Sequence, residues 1–140
     1  MIKDLLFRQV HPDHFKNGLS SGAFRPTPRD DDKLSVDCGN MTTPQASYEL
    51  HLKKTKLGNS TEREFLKSAG TWAIPRDSCR DENLPVIPDE VKEDPFQPNN
   101  PAHHLVDFSG ISGMPAKKND LVAKRLRQKA LELGQLWPKP

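Results

Sequence analysis

Two histidines occupy positions from which they could work as an acid–base pair. His11 follows the first predicted strand, and His104 begins the last one. If those strand ends adjoin, one imidazole could accept a proton from an attacking hydroxyl while the other donates one to the leaving oxygen. Arg8 or Arg25 would bind phosphate and stabilise the developing charge. The pattern predicts an RNase-like site for a phosphate-containing substrate. The alternative is that His11 caps a strand and His104 is half-buried.

A different arrangement combines Arg8 with Ser35 on a following strand and Glu49 on the next predicted helix. This order of Arg, Ser and Glu resembles the layout of ADP-ribosyltransferase-type domains, which bind NAD. The resemblance implies that Arg8 holds phosphate and that Glu49 orients the ribose. The chain is short for that fold. The alternative is that Arg8 and Glu49 are ordinary surface ions.

Other catalytic chemistry has less support. The chain contains no GxxxxGKS/T, GxGxxG, GxSxG or HExxH motif, which disfavours P-loop enzymes and classical dinucleotide-binding domains. His103 and His104 would point to opposite faces of a strand and could not easily share a metal ion, so we expect no metal and no cofactor. We expect Cys38 and Cys79 to be reduced thiols, and Asp37 opposes formation of a thiolate at Cys38.

The small net charge of +2 hides an uneven distribution along the chain. Residues 117–140 carry seven Lys and Arg against two acids, whereas residues 76–96 carry seven acids against three bases. Lys124, Arg125 and Arg127 could contact nucleic-acid phosphates, but no aromatic residues are interleaved with them for base stacking. The preferred alternative is that the two segments face each other or water.

Composition favours one small domain, residues 1–140, with long irregular connections. Hydrophobic residues make up 34% of the chain, and its 13 prolines are about twice the usual share. Five of those prolines fall within 83–102, which predicts a proline-rich loop that holds at most an edge strand at 85–87. No apolar run is long enough for a membrane span or a signal peptide. We therefore expect a cytoplasmic protein that makes no membrane contact.

The elements that must position these residues are short. Strand-forming residues and alternation predict strands at 5–10, 34–38, 71–74 and 104–108, and an extended segment at 23–25. Thr43 and Pro44 are typical of a helix start, and the helix would run to about Thr55, although alternation there leaves a strand open. Weaker local signals predict a charged turn at 28–32, a short helix at 60–64, a helical turn at 77–80 and a flexible turn at 109–113.

An amphipathic helix over 120–134 is the clearest element. Its apolar residues repeat along one face with a 3.6-residue period: Val122, Leu126, Ala130 and Leu133. Gly134 supplies the stop, and Leu136 and Trp137 can fold back after it. Trp137 would either cover the core or anchor a partner. Together the elements predict an α+β fold with a small mixed sheet of about five short strands and two to three helices.

Three blocks of sequence resemble the opening of a family of small bacterial proteins: LFRQVHP at 6–12, FRPTPRD at 24–30 and LSV at 34–36. The resemblance extends loosely to residues 71–74 and to the basic helix. That family has no assigned activity. The resemblance therefore implies a single compact bacterial domain and supplies no mechanism.

Three functions remain open on sequence grounds. The favoured one is an accessory module that binds another protein through the basic helix and the proline-rich loop, because the chain has no complete catalytic motif and is rich in loops. The second is a small metal-independent enzyme acting on a phosphate-containing substrate through Arg8, His11, Arg25, Ser35 and His104. The third is non-specific nucleic-acid binding through residues 117–129.

Overall fold

A five-stranded antiparallel sheet is the central element of the computed structural model, which describes residues 4–26, 32–57, 62–89, 97–112 and 117–139. The strands and helices are, in chain order, β1 (Leu5–Gln9), β2 (Lys33–Cys38), α1 (Pro44–His51), β3 (Thr55–Leu57), β4 (Arg63–Phe65), β5 (Thr71–Pro75), α2 (Arg76–Asp81), β6 (Val86–Pro88), β7 (His103–Asp107), α3 (Ser109–Ser112) and α4 (Lys117–Leu133). Two 3-10 turns, Pro12–His14 and Ser21–Phe24, precede β2. The order in the sheet is β5-β1-β2-β7-β6, and β3 pairs with β4 separately.

The α+β class predicted from the sequence is confirmed. The sheet was expected to be mixed, but neighbouring strands in its described part run antiparallel at every pairing. A mixed sheet needs a crossover connection between two parallel neighbours, and this strand order contains none among the described strands. The predicted edge strand is β6, which lies at one end of the sheet.

One face of the sheet carries the apolar core. Leu6, Val36, Ile74 and Val106 alternate toward this face and are buried against α4 and the second 3-10 turn. On α4, the predicted residues Val122, Leu126 and Ala130 are buried, and full burial of a Val or Leu side chain contributes about 1.5–3 kcal/mol. Leu133 was predicted to share this face but is 42% exposed. The buried stripe therefore ends one turn before the helix does.

The opposite face of the sheet lies under α1 and carries buried polar residues beside the apolar Phe7 and Ala73. Gln9 on β1, Asp37 on β2 and Thr71 on β5 alternate toward it, and all three are buried. Thr43 caps α1 as predicted, because its hydroxyl accepts a hydrogen bond from the Ala46 N–H at 3.1 Å. The helix ends at His51 rather than near Thr55, and it carries the buried Ser47 onto this face.

Three local predictions are wrong. Residues 63–65 form β4, paired with β3, instead of the predicted short helix at 60–64, of which residues 60 and 61 lie outside the described part. Residues 23 and 24 belong to a 3-10 turn that buries Phe24, and only Arg25 is extended. Residues 109–112 form α3, where the Asp107 carboxylate accepts from the Ser109 N–H, rather than a flexible turn. The predicted turn at 28–32 lies outside the described residues except for Asp32.

The segment after α4 folds back onto the sheet, as predicted. Gly134 adopts a φ of +76°, which favours glycine, and it ends the helix. The Leu136 N–H then donates to the Thr71 carbonyl at 2.9 Å, and the Thr71 N–H donates to the Trp137 carbonyl at 2.7 Å. Trp137 therefore lies half-buried along the outer edge of β5 and covers that edge. No helix in the described part of the chain is long and apolar enough to cross a membrane.

Candidate functional site

Arg8 and Ser35 are in contact, but through the backbone. The Arg8 guanidinium donates to the carbonyl of Ala23 at 2.8 Å and to the carbonyl of Ser35 at 3.0 Å. These bonds join β1, β2 and the second 3-10 turn. The Ser35 side chain is exposed, and Glu49 lies on α1, where it accepts a hydrogen bond from Gln45 at 3.0 Å. Arg8 therefore holds three elements together in this structure.

His11 and His104 are separated by the sheet topology. His11 is exposed, and its Nδ1 accepts from the Asp13 N–H at 3.0 Å, which caps the first 3-10 turn. His104 is 9% exposed, and its Nδ1 lies 2.8 Å from the Ala102 carbonyl oxygen. β2 lies between the strands that carry them, and two strand spacings amount to about 10 Å. The structure does not bring these two imidazoles to one reacting group.

Arg25 directly follows the second 3-10 turn, and its side chain is paired within the molecule. Its guanidinium forms an ion pair with Asp120 at the start of α4. Burial lowers the pKa of His14, and the nearby charges of Arg8, His11 and Arg25 lower it further. The Asp13 carboxylate opposes this shift.

Two basic side chains of α4, those of Arg125 and Arg127, contact other parts of the molecule. The Arg125 guanidinium binds both carboxylate oxygens of Glu82, with Nη2 2.9 Å from Oε1. The Arg127 side chain donates to the Leu19 carbonyl, while Lys124 is exposed. Glu82 belongs to the acidic segment 76–96. The Arg125–Glu82 ion pair therefore brings the two oppositely charged segments into contact. Only Lys124 of the three predicted phosphate contacts is left to solvent.

Both cysteines are buried and carry no disulfide. Burial raises the pKa of the Cys79 thiol to about 12, so it is protonated at neutral pH. Cys38 is 4% exposed, and its sulfur accepts a hydrogen bond from Arg76 Nη2 at 3.1 Å. The sequence did not reveal this arginine contact, because Arg76 arrives from α2.

Buried polar side chains converge instead on Asp37, on the face beneath α1. The Ser47 hydroxyl donates to Asp37 Oδ2 at 2.6 Å, and Asn100 Nδ2 donates to Asp37 Oδ1 at 2.9 Å. Both carboxylate oxygens are therefore hydrogen-bonded. A buried carboxylate needs such donors to offset the loss of its water shell.

Gln9 extends this network across the sheet. Its side-chain amide donates to the Ser47 hydroxyl at 2.9 Å and to the Thr71 hydroxyl at 2.8 Å. Its Oε1 accepts from the Ser68 hydroxyl at 2.8 Å. Three strands and α1 are thus tied to one another by side chains, which makes this face rigid.

His103 lies directly beside the network. It is opposite Asp37 in the register of β2 and β7, and its Nδ1 lies 2.8 Å from Asp89 Oδ2. The Asp89 carboxylate places the imidazole proton on Nδ1 and leaves the lone pair on Nε2. Nε2 is buried and has no hydrogen-bond partner among the described residues.

His51 is the last residue of α1, one turn after Ser47, and Lys54 follows it. His51 Nε2 lies 3.2 Å from the Lys67 carbonyl oxygen. Burial, followed by the positive charge of Lys54, lowers the pKa of His51 to about 4. The same two causes, in the same order, lower the pKa of His103, while Asp89 and Asp37 oppose that shift. Both imidazoles are therefore neutral at neutral pH.

We call His51, Lys54, Asp89 and His103, together with the buried Asp37, the His51–His103 site. It combines two neutral imidazoles, a half-buried ammonium and two carboxylates, and such clusters of perturbed groups are typical of functional sites. Sequence reasoning considered His103 only as a metal ligand and did not select the other members for catalysis. A signal was present, because Gln9, Asp37 and His103 are polar residues on the face opposite the apolar alternation.

His103 and His104 do point to opposite faces, as strand geometry requires. Across the described ranges, no group of three or more His, Cys, Asp or Glu side chains is arranged to hold a metal ion. No family model, no curated protein and no solved structure matches this chain. The resemblance to a family of small bacterial proteins therefore stays a prediction.

Proposed function

We propose that this chain is a small enzyme in which His103 acts as a general base. The supporting observation is the geometry of its two ring nitrogens. Nδ1 is held 2.8 Å from the Asp89 carboxylate, while the buried Nε2 has no partner among the residues described. A carboxylate in this position orients the ring and stabilises the imidazolium that forms when Nε2 takes a proton.

The protonation state of His103 suits this role. Burial and the Lys54 charge lower its pKa, so the base is unprotonated at neutral pH. The His103 side chain is 20% exposed and that of Asp89 is 39% exposed, so solvent reaches part of the ring, and a substrate has to displace the groups that cover Nε2 before it can be deprotonated there. Asp37 and Ser47 are buried and act as positioning residues, because they fix the strand on which His103 lies. The reaction class is transfer or hydrolysis that begins with deprotonation of a hydroxyl or of water.

Replacing His103 by glutamine should lower kcat/KM by about 10²–10⁴-fold, because the proton acceptor is removed. The measurement is turnover of bis(p-nitrophenyl) phosphate, p-nitrophenyl phosphate and p-nitrophenyl acetate. The wild-type rate should rise as the pH increases through the lowered pKa of His103 and then level off. His11→Gln, at an exposed histidine, is the matched control and should leave the rate unchanged. Equal rates in wild type and His103→Gln, or no turnover of any of the three esters, would overturn the proposal.

A second candidate is the protein-binding function expected from the sequence. A pocket of about 460 Å³ borders the edge strand β6 within the predicted proline-rich loop. Its lining combines two guanidinium groups, an amide and an apolar floor: Arg76, Arg80, Asn83, Leu84, Pro85 and Val86. Arg80 is 74% exposed, and its nearest carboxylates, at 3.6 and 3.9 Å, are weak partners. The occupant that fits is an extended peptide of another protein with one acidic side chain flanked by apolar ones.

Selection of displayed peptides on the intact protein tests this second candidate. Peptides with Asp or Glu beside apolar residues should be enriched, and Arg80→Ala should weaken their binding about tenfold. Lys129→Ala, on the far end of α4, is the control and should bind as wild type does. Selection of peptides without a shared acidic position, or equal affinity for Arg80→Ala, would remove this candidate.

A further inference from the structure

We propose that an extended segment of a partner protein binds the outer edge of β6 as an added strand of the sheet, with one acidic side chain placed in the pocket that Arg76 and Arg80 line. This inference rests on the second candidate function and specifies how the peptide is held. It is carried by the outward main-chain groups of β6, by the two guanidinium groups beside them and by the way the molecule covers its other strand edges.

The hydrogen bonds between β6 and β7 determine which main-chain groups of β6 point outward. The Asp107 N–H donates to the Pro85 carbonyl at 2.8 Å, and the Asp89 N–H donates to a carbonyl of β7 at 3.1 Å. In an antiparallel pair, residues bonded in this way alternate with residues whose N–H and C=O groups face away from the partner strand. Val86 and Pro88 are these alternate residues. Because proline has no N–H, the edge offers both groups of Val86 but only the C=O of Pro88.

The molecule covers two other strand edges with its own chain. At the outer edge of β5, the Leu136 N–H donates to the Thr71 carbonyl, and the Thr71 N–H donates to the Trp137 carbonyl. At β3, the side-chain amide of Gln97 binds the N–H and the C=O of Thr55, at 3.1 and 2.6 Å. An open strand edge is a template for pairing with another chain. Within the described ranges, no hydrogen bond covers the outer edge of β6 in this way.

The side chains beside this edge select the peptide. Val86 packs against the core and lines the pocket, so a peptide residue directly opposite Val86 points toward the pocket as well. Arg76 and Arg80 line the same pocket, and Arg80 is 74% exposed, with its nearest described carboxylates at 3.6 and 3.9 Å. An Asp or Glu at that position therefore gains a charged hydrogen bond. Ile87 points to the opposite face and is 38% exposed, so an apolar neighbour of the acidic residue packs on it.

A second copy of this chain matches the edge less well. If two β6 strands paired with Val86 opposite Val86, the other copy would turn Leu84, Val86 and Pro88 toward the pocket. None of these residues carries a negative charge. A partner of different sequence supplies the carboxylate that the two guanidinium groups favour.

Binding of a synthetic peptide to the folded full chain tests the proposal. The probe is a capped heptapeptide with one glutamate between two valines and threonine at the other positions. Val86→Pro removes the outward N–H without removing a bond between β6 and β7, so the sheet should tolerate it. It should weaken binding of the probe about tenfold. Val86→Ala keeps the N–H and is the matched control, and it should bind nearly as wild type does and melt at the same temperature as Val86→Pro.

Pro88→Ala is an independent test, because it adds an outward N–H to the edge. It should bind the probe about 2- to 10-fold more tightly than wild type does. In the wild-type protein, bound probe should slow hydrogen exchange of the Val86 N–H, whereas the Ile87 N–H, which faces β7, should be protected with or without it. Equal affinity in Val86→Pro and Val86→Ala, no gain in Pro88→Ala, or exchange at Val86 that ignores the bound probe would each overturn the proposal.

The failure of this inference is distinguishable from the failure of the candidate function. If Arg80→Ala weakens binding but Val86→Pro and Val86→Ala bind equally, the pocket binds peptides and the added strand is wrong. If Val86→Pro weakens binding but Arg80→Ala does not, the edge accepts a strand and selection of an acidic residue by the pocket is wrong. Self-association of the protein that Val86→Pro abolishes would make a second copy the occupant and overturn the proposal, and absence of saturable binding would remove both.

Discussion

Replacing Asp37 by alanine should lower the free energy of unfolding by about 3–5 kcal/mol. The change removes the acceptor for Ser47, whose side chain is 1% exposed, and for Asn100. Each buried donor left without a partner costs about 1–3 kcal/mol. The loss then spreads to Gln9, which donates to the same Ser47 hydroxyl. Water cannot readily replace the carboxylate, because this face of the sheet lies under α1.

Urea denaturation of wild type and Asp37→Ala measures this difference in free energy. Asp77→Ala is the control, because the Asp77 side chain is 69% exposed and its ion pair with Arg80 spans 3.6 Å. Its effect should stay below about 1 kcal/mol. A small effect of Asp37→Ala, equal to that of Asp77→Ala, would mean that the network does not hold the sheet and α1 together.

The protein should lose stability as the pH falls from 6.5 toward 4, and His51 should account for much of the loss. Burial and the Lys54 charge lower the pKa of His51 from 6.5 to about 4 in the folded state. The unfolded chain therefore binds a proton at higher pH than the folded chain does, and acidification favours unfolding. Stability is full above pH 6.5, declines through this window and levels off below about 4. Complete protonation costs up to about 3 kcal/mol.

Chemical denaturation at several pH values measures this dependence. His51→Gln should remove the His51 share and flatten the curve between pH 6.5 and 4, because glutamine can still donate to the Lys67 carbonyl without titrating. His11→Gln replaces an exposed histidine and should leave the slope as in wild type. A slope unchanged in His51→Gln would contradict the assignment.

The Asp37→Ala prediction concerns hydrogen bonds beneath α1, and the pH prediction concerns protonation of His51 at the end of the same helix. Asp37 is held by hydrogen bonds from Ser47 and Asn100, whereas burial lowers the pKa of both His51 and His103. A rigid network beside titratable groups is the arrangement that general-base catalysis needs, since the base must keep its position while its charge changes.

Local sequence patterns determined most of the secondary structure. Strand-forming residues predicted β1, β5 and β7, and alternation of apolar and small polar residues predicted β2. The capping signal at Thr43 and the 3.6-residue period after Asp120 predicted α1 and α4. The helix predicted at 60–64 is wrong for residues 63–65, because pairing with β3 overrides a weak local preference for helix. Interactions between residues close in sequence were sufficient wherever prediction succeeded.

The candidate site was decided by tertiary structure. Alternation determined that Asp37 and His103 each lie on one particular face of a strand, but not that β2 and β7 are neighbours. That pairing joins residues 66 positions apart, and it sets Asp37 opposite His103 while His11 stays beyond the intervening strand. Side-chain periodicity contains no information about strand order, because order depends on how all the faces bury together. The sequence by itself therefore defined the strands and helices, and only the packed sheet selected His51, Lys54 and His103 as one site.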